Sequence, residues 1–170
     1  SKDNLSVTFN ITGVDDAFIN TLRRTVIEEV PTLAVEDIDI KDNSSALFDE
    51  MLALRIGLIP IITDISSYQL PTTEAEITER SAKCTLQLTL KATKKGMVYA
   101  KDAQSKDPKC VFAYEDMPIV KLISKQKVDC TMWAVMGQGK EHIKWSPGLM
   151  WYNQNAKITI KNDDELSEKF

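Results

Sequence analysis

The sequence predicts an α+β fold, because its clearest helical pattern lies near the start of the chain and its clearest strand patterns lie later. Apolar side chains recur at helical spacing over residues 15–31. Leu86, Leu88 and Leu90 alternate with polar residues, and apolar side chains alternate again over residues 128–136. Both runs have the period of a strand with one buried face.

The first predicted element is a strand over residues 5–11, where apolar and polar residues alternate. A helix follows. Asp15 or Asp16 can cap its start by accepting backbone N–H bonds, and Pro31 ends it because proline cannot continue the helical bonding. The apolar stripe of this helix comprises Phe18, Ile19, Leu22, Val26 and Val30.

Further along the chain, a second helix is predicted because Leu47, Met51, Leu54 and Leu58 recur at helical spacing before Pro60. The remaining predictions are a strand over residues 33–40, a turn over 41–45, loops over 63–83 and 105–109, and strands over 86–90, 128–136 and 157–160. Residues 162–170 are predicted to be a charged tail or the start of a helix.

Composition and charge exclude several classes of protein. The 170 residues carry a formal net charge of −4, whereas proteins that bind the nucleic-acid backbone usually have a basic surface. No apolar run approaches the roughly 20 residues that cross a bilayer, and the first residues do not resemble a secretion signal, so we expect a cytoplasmic protein. The three cysteines, Cys84, Cys110 and Cys130, form no Cys-x-x-Cys pair. We expect them to be reduced and buried, with no disulfide and no metal.

Signals for catalysis are weak. His142 is the single histidine. A structural role, as a loop histidine hydrogen-bonded to the backbone, accounts for it better than a catalytic role. The segment Gly137 to Lys144 is compared with a phosphate-binding loop, but Ala134 replaces the first glycine and Glu141 the hydroxyl residue. A stand-alone nucleotide- or phosphate-binding enzyme using this loop is the alternative function, and a nucleic-acid-binding module is a third possibility that the acidic balance disfavours.

The sequence also has features typical of a protein interface. On the first helix Arg24 projects nearly opposite the apolar stripe and Arg23 lies on its flank. Aromatic and arginine side chains beside apolar area are enriched in protein interfaces. A later loop combines charged and aromatic side chains, namely Lys140, Glu141, His142, Lys144 and Trp145.

Three segments, residues 18–40, 44–61 and 137–147, resemble in their order and residue types the D family of archaeal DNA-directed RNA polymerase subunits. That family is similar to the eukaryotic third-largest subunit and to the N-terminal domain of the bacterial alpha subunit. The resemblance implies an alpha-subunit-like dimerisation domain interrupted by a mainly β insert domain. Residues 1–43 would begin the dimerisation domain, 44–156 would form the insert, and 157–170 would start the return, with the remainder absent.

The resemblance also implies a function and its residues. The chain would be a non-catalytic assembly subunit that pairs with subunit L through Phe18, Leu22, Val26 and Ile27. Docking of the large subunits is expected from Asn20, Arg23, Arg24, Lys140, Glu141, His142, Lys144 and Trp145, with the second-largest subunit as the partner of the arginines. Small subunits N and P are further expected neighbours, DNA and RNA are contacted only indirectly, and nucleotidyl transfer takes place in other subunits. Many relatives carry a cysteine-rich metal segment, but only Cys84 lies near its position, so no iron–sulfur cluster or zinc is expected.

Overall fold

In the computed structural model of the protein, residues 6–156 are described. The helices are α1 (Asp16–Glu28), α2 (Asp49–Gly57) and α3 (Glu74–Thr78). The strands are β1 (Pro31–Asn43), β2 (Thr85–Ala92), β3 (Gly96–Tyr99), β4 (Ala103–Ser105), β5 (Pro118–Leu122) and β6 (Val128–Gln138). The strand predicted over residues 157–160 and the charged tail lie outside the described residues.

An antiparallel sheet of four strands, in the order β1-β6-β2-β4, organises the molecule. The central strand β6 pairs with β1 from Gln138 to Val128 and with β2 from Val135 to Val128. Its alternate residues are buried at 0–1% exposure: Val128, Cys130, Met132, Ala134 and Met136. The predicted alternation in β6 is confirmed, and so is the alternation of Leu86, Leu88 and Leu90 in β2.

The core lies between this sheet, the helix α2 and a second sheet formed by β3 and β5. Leu52 and Ile56 of α2 are fully buried in it. The Arg55 guanidinium ties α2 to the edge of β5 by donating to the backbone carbonyls of Ile119 and Pro118, both at 2.8 Å. Separate helical and antiparallel β layers confirm the α+β prediction.

The register of β1 against β6 shifts twice, between Val35 and Asp37 and between Ile40 and Asp42. Each shift leaves one residue of β1, Glu36 or Lys41, without a partner on β6, which is the arrangement of a β-bulge. Such a bulge changes the direction of the side chain that it contains. Because β1 continues to Asn43, the turn predicted over residues 41–45 begins later than expected.

The helix α1 confirms the first helix prediction, and Asp15 provides its cap. The Asp15 carboxylate accepts a bond from the Phe18 backbone N–H at 2.9 Å. The strand predicted over residues 5–11 is wrong for the residues that are described, since residues 6–12 belong to no strand. A strand needs a neighbour for its backbone groups, and no strand within residues 6–156 pairs with this segment. Val7 and Phe9 are 71% and 70% exposed there.

The apolar spacing used to predict the second helix selects the wrong side of α2 as its core side. Met51, Leu54 and Leu58 are about half exposed, and Leu52 and Ile56 face the core instead. The helix carries apolar residues on two sides, so spacing alone does not identify the one that packs. The short elements α3, β3, β4 and β5, of three to five residues each, were also not predicted, because such short elements give little periodicity.

All three cysteines are buried and unpaired, as predicted. Burial raises the pKa of the Cys130 thiol to about 11, so this side chain stays neutral at physiological pH. None of the helices within residues 6–156 has the length and apolar content needed to cross a lipid bilayer.

Replacing Leu90 by alanine tests the packing of the core. Leu90 is 0% exposed in the middle of the sheet, so Leu90→Ala is expected to lower the free energy of unfolding by about 2–5 kcal/mol. Urea denaturation followed by circular dichroism measures this change. Met97 on the outer side of β3 is 43% exposed, and Met97→Ala is the control, with a loss of less than about 1 kcal/mol expected. Equal losses for the two variants would contradict the assigned core.

Candidate protein-docking surfaces

The helix α1 is the main candidate docking surface because it has no buried residue along its 13 positions. Phe18 is 54% exposed and Leu22 is 36% exposed, while Val26 is half-buried. Helical geometry places these three residues on one side of α1, which we call the α1 face. Ile27 is also half-buried but lies about 140° around the helix from Leu22, so the structure does not bring it onto the α1 face.

Two further apolar segments adjoin the start of α1, one through the sequence and the other through a hydrogen bond. Val7, Phe9, Ile11 and Val14 precede the helix and are all exposed. Leu149 and Trp151 are 83% and 74% exposed, and Gln154 donates from Nε2 to the Asp16 carboxylate at 2.8 Å. This bond brings residue 154 to the start of α1. The exposed apolar side chains on both sides of the bond therefore extend the area available for docking.

The arginines on α1 are oriented by neighbours one helical turn away. Asn20 accepts two bonds from the Arg23 guanidinium, at 3.2 Å and 3.0 Å. Arg24 forms a two-bond ion pair with Glu28, each bond 3.2 Å long. Hydrogen bonding within this pair raises the pKa of Arg24 and lowers that of Glu28. The three predicted residues of this cluster are thus brought together, with Glu28 as a member that sequence reasoning missed.

The loop after β6 holds the end of α1 in place. The backbone N–H of Lys140 donates to the Glu28 carbonyl at 3.1 Å, and the Gln138 side chain donates to the Glu29 carbonyl at 2.6 Å. The Lys140 ammonium also pairs with the Glu29 carboxylate at 3.4 Å. The last carbonyls of a helix lack partners within the helix, and a cation is favourable near them. Lys140 therefore stabilises α1 internally.

Gly139 allows this close contact. A Cβ atom at position 139 would lie 2.0 Å from the Ile27 carbonyl oxygen, a distance that no side chain tolerates. The helix end and the loop consequently approach each other through backbone atoms alone.

Trp145 and Lys144 fasten the same loop to the outer side of the four-stranded sheet. The Trp145 indole covers Gly137 and donates from Nε1 to the Val135 carbonyl at 3.0 Å. The Lys144 ammonium lies 4.5 Å from the centre of the Trp145 ring, donates to the Val35 carbonyl at 3.2 Å and pairs with the carboxylate of Glu36. Both side chains are therefore engaged inside the chain, and the bulge of β1 supplies the acidic partner.

The middle of this loop remains accessible. Glu141 and His142 are exposed, and the neighbouring Ile143, which sequence reasoning did not single out, is 67% exposed. His142 accepts a bond at Nδ1 from the Lys144 backbone N–H at 3.1 Å. Of the five loop residues predicted to dock a large subunit, Lys140, Glu141 and His142 are exposed, whereas Lys144 and Trp145 are half-buried.

The geometry of residues 137–144 does not support a phosphate-binding loop. The N–H groups of Lys140 and Glu141 already donate to the carbonyls of Glu28 and Gln138, and Gly137 lies under the Trp145 ring. A phosphate cradle requires free amides that converge on an open space. Within residues 6–156, no group of three or more His, Cys, Asp or Glu side chains is arranged to hold a metal ion.

A second apolar surface lies on the outer side of α2. It consists of Phe48, Met51, Leu54 and Leu58, exposed by 79%, 49%, 57% and 51%. The sequence indicates such a surface, because α2 carries apolar residues on two sides and only one of these sides can face the core.

Gly139→Ala tests the contact between the loop and α1. The added methyl group would overlap the Ile27 carbonyl, so the bonds at the end of α1 are expected to break and amide hydrogen exchange over residues 24–29 to rise about tenfold or more. Gly148→Ala is the matched control, because a Cβ atom there meets nothing within 4 Å. Unchanged exchange in Gly139→Ala, measured by mass spectrometry, would show that the contact is not as tight as described.

Comparison with known proteins gives consistent matches. The profile of the RNA polymerase Rpb3/RpoA insert domain family matches residues 38–150. The DNA-directed RNA polymerase subunits Rpo3 of Thermococcus kodakarensis and Methanosphaera stadtmanae are 39% and 42% identical to the chain, over 96% and 95% of it. Rpo3 of Methanosarcina mazei is 43% identical over 94% of the chain.

The chain spans 62%, 62% and 60% of the lengths of these three relatives. The division into residues 1–43, 44–156 and 157–170 stays a prediction. The profile covers α2, the strands β2 to β6, the loop after β6 and the part of β1 from residue 38 onward. The relatives extend the similarity to the start of β1 and to α1. The chain therefore belongs to the RNA polymerase Rpb3/RpoA insert domain family.

Proposed function

We propose that this chain is a non-catalytic assembly subunit of a DNA-directed RNA polymerase in the cytoplasm. It pairs with subunit L and presents a surface to which the large subunits bind. The observation that carries the proposal is that α1 has an apolar side and no buried residue. The names of the relatives, each a DNA-directed RNA polymerase subunit, indicate the complex in which such a helix finds its partner.

Pairing with subunit L is supported by the exposure of the α1 face. Phe18 and Leu22 are large apolar residues that remain accessible in the chain alone. Burying a side chain of this size contributes about 1.5–3 kcal/mol, so a partner that covers the α1 face gains substantial binding energy. Val26 extends this contact, whereas Ile27 lies off the α1 face and is left out of it.

Docking of the second-largest subunit is assigned to the opposite side of α1. Arg24 has 60% of its side chain exposed, and its planar guanidinium can bond a carboxylate or carbonyl of a partner while Glu28 holds it in place. Asn20 gives Arg23 a similar fixed orientation. Glu141 and His142 add accessible polar groups, whereas Lys140, Lys144 and Trp145 act by holding the loop in position.

The proposal includes no bound cofactor. Cys84, Cys110 and Cys130 are buried in the packing of this chain, and burial raises the pKa of each thiol, which opposes the thiolate form that binds metals. Small subunits N and P are proposed as neighbours. Nucleotidyl transfer and contact with DNA and RNA in the catalytic centre belong to other subunits.

Leu22→Asp tests the pairing. Pairing would bury this carboxylate in the centre of the α1 face without a counter-charge, so the heterodimer with subunit L is expected to be lost. The tagged chain is purified from its own cells, its partners are identified by mass spectrometry, and the heterodimer is measured by gel filtration. Ala17→Asp adds the same charge on the opposite side of α1 and is expected to leave pairing intact. Retention of the heterodimer by Leu22→Asp would refute the assigned face.

Arg24→Ala tests the docking of the second-largest subunit. Loss of the guanidinium is expected to weaken that association about tenfold or more in a reconstitution assay, without changing the heterodimer. Glu28→Gln separates two explanations, because it removes the ion pair and leaves Arg24 available. Association should persist in Glu28→Gln if Arg24 contacts the partner directly. An equal loss in both variants would mean that the ion pair only stabilises α1.

A further inference from the structure

The two connections between the sheets lie side by side at one end of the molecule. Residues 93–95 join β2 to β3, and residues 123–127 join β5 to β6. The strands that enter and leave these connections are paired, since Ala92 lies opposite Val128 and Gly96 lies opposite Leu122. Asn43, at the end of β1, is the other partner of Val128. Three strand ends and both connections therefore share one surface.

This surface is rich in lysine, although the chain as a whole is acidic with a net charge of −4. Its seven lysines are Lys41, Lys91, Lys94, Lys95, Lys121, Lys125 and Lys127. Two of them are neutralised locally: Lys91 pairs with Asp129 at 3.3 Å, and Lys127 pairs with Asp42 at 2.7 Å. Asp49 and Glu50 at the start of α2 are the other carboxylates at this end, and Asn43 donates to Asp49 at 2.7 Å.

Five lysines of this surface have no counter-charge within residues 6–156. Lys41, Lys94, Lys95, Lys121 and Lys125 are exposed and form no ion pair there, and we call this group the basic end. The bulge of β1 contributes Lys41, and Lys125 lies in the tight turn before β6 with a positive φ of 68°. Like charges held close together repel one another, so an anionic partner lowers the free energy of the basic end.

Apolar side chains lie among these charges. Met97 is directly opposite Lys121 in the β3–β5 pair and is 43% exposed. Directly opposite residues in antiparallel strands share a face of the sheet. Ile123 follows Lys121 by two residues, which places it on the same side of an extended chain, and it is 58% exposed. Val98 and Val120 point into the core from the other side.

We propose that the basic end binds an acidic segment of another protein in which carboxylates alternate with apolar side chains. The carboxylates of the segment lie beside the five lysines, and its apolar side chains cover Met97 and Ile123. This proposal does not depend on the assembly role, because none of these residues belongs to α1 or to the loop that holds it.

Nucleic acid fits this surface less well. A phosphate backbone would satisfy the lysines but would offer no aliphatic side chain to Met97 and Ile123, which would stay exposed to water. A short acidic segment needs only the local positive potential, and it gains from burying the two apolar side chains.

Fluorescence anisotropy with the full chain tests the proposal. The probe is a short labelled peptide in which aspartate and glutamate alternate with leucine and phenylalanine. Lys94→Glu/Lys95→Glu is expected to weaken its binding about tenfold. Lys83→Glu/Lys106→Glu makes the same charge change at the opposite end of β2 and is the matched control, with a change of less than about twofold expected. Circular dichroism checks each fold, and Lys94→Gln/Lys95→Gln replaces the charge reversal if that variant unfolds.

A second pair of measurements separates the acidic segment from other occupants. Met97→Ser/Ile123→Ser is expected to weaken the peptide about fivefold while leaving a labelled DNA duplex unaffected. The proposal is overturned if the peptide does not bind, or if both charge-reversal variants weaken it equally. It is also overturned if the duplex binds more tightly than the peptide and competes it away, since the surface would then be a nucleic-acid site.

Discussion

The pairing of β6 on both of its edges is the constraint on which the rest of the structure depends. β6 bonds to β1 on one side and to β2 on the other, and its alternate residues from Val128 to Met136 fill the core. A one-residue slip in either ladder would turn these side chains toward the outer face, so the register is strongly fixed. The two proposed docking surfaces lie at opposite ends of β6, so the same ladder sets their separation.

The end of β6 at Gln138 positions α1. Gln138, Gly139 and Lys140 meet the last carbonyls of the helix, and Trp145 folds back over Gly137 to hold the loop on the sheet. The other end, at Val128, gathers the lysine-rich connections beside the bulge of β1. An antiparallel sheet thus separates two surfaces of different chemistry. One is apolar with oriented arginines, and the other is basic with scattered apolar side chains.

Elements whose residues alternate or repeat over many positions were predictable from the sequence. The strand β6, the strand β2 and the helix α1 with its Asp15 cap have periods and end signals that local chemistry determines. The segment over residues 6–12 shows the limit, because its alternation specifies a strand only where a neighbour exists. The buried side of α2 was decided by contact with the sheet and with β5, information that spacing does not contain.

The sequence yields candidate docking residues but not the contacts that they make within the chain. Residue type marks Lys144 and Trp145 as interface candidates, but the structure uses them to fasten a loop through Glu36, Val35 and Val135. Lys144 and Val35 are 109 positions apart in the chain, so no local pattern reveals their contact. The basic end has no local sequence pattern for a related reason. Its lysines come from two strands and two connections that are far apart in the sequence, and the net negative charge of the chain conceals them.

The exposure of the apolar side chains of α1 also affects how much of this protein a cell can accumulate. A copy without its proposed partner exposes Phe18, Leu22 and the apolar side chains that precede the helix. Exposed apolar surface of this kind promotes aggregation and recognition by chaperones and proteases. If the proposed pairing is what covers this helix, surplus copies would be short-lived, and the amount of the chain that accumulates would follow the rate at which the proposed partner is synthesised. The exposed side of α1 would in this way keep the amounts of the chain and its proposed partner equal, without a separate regulator.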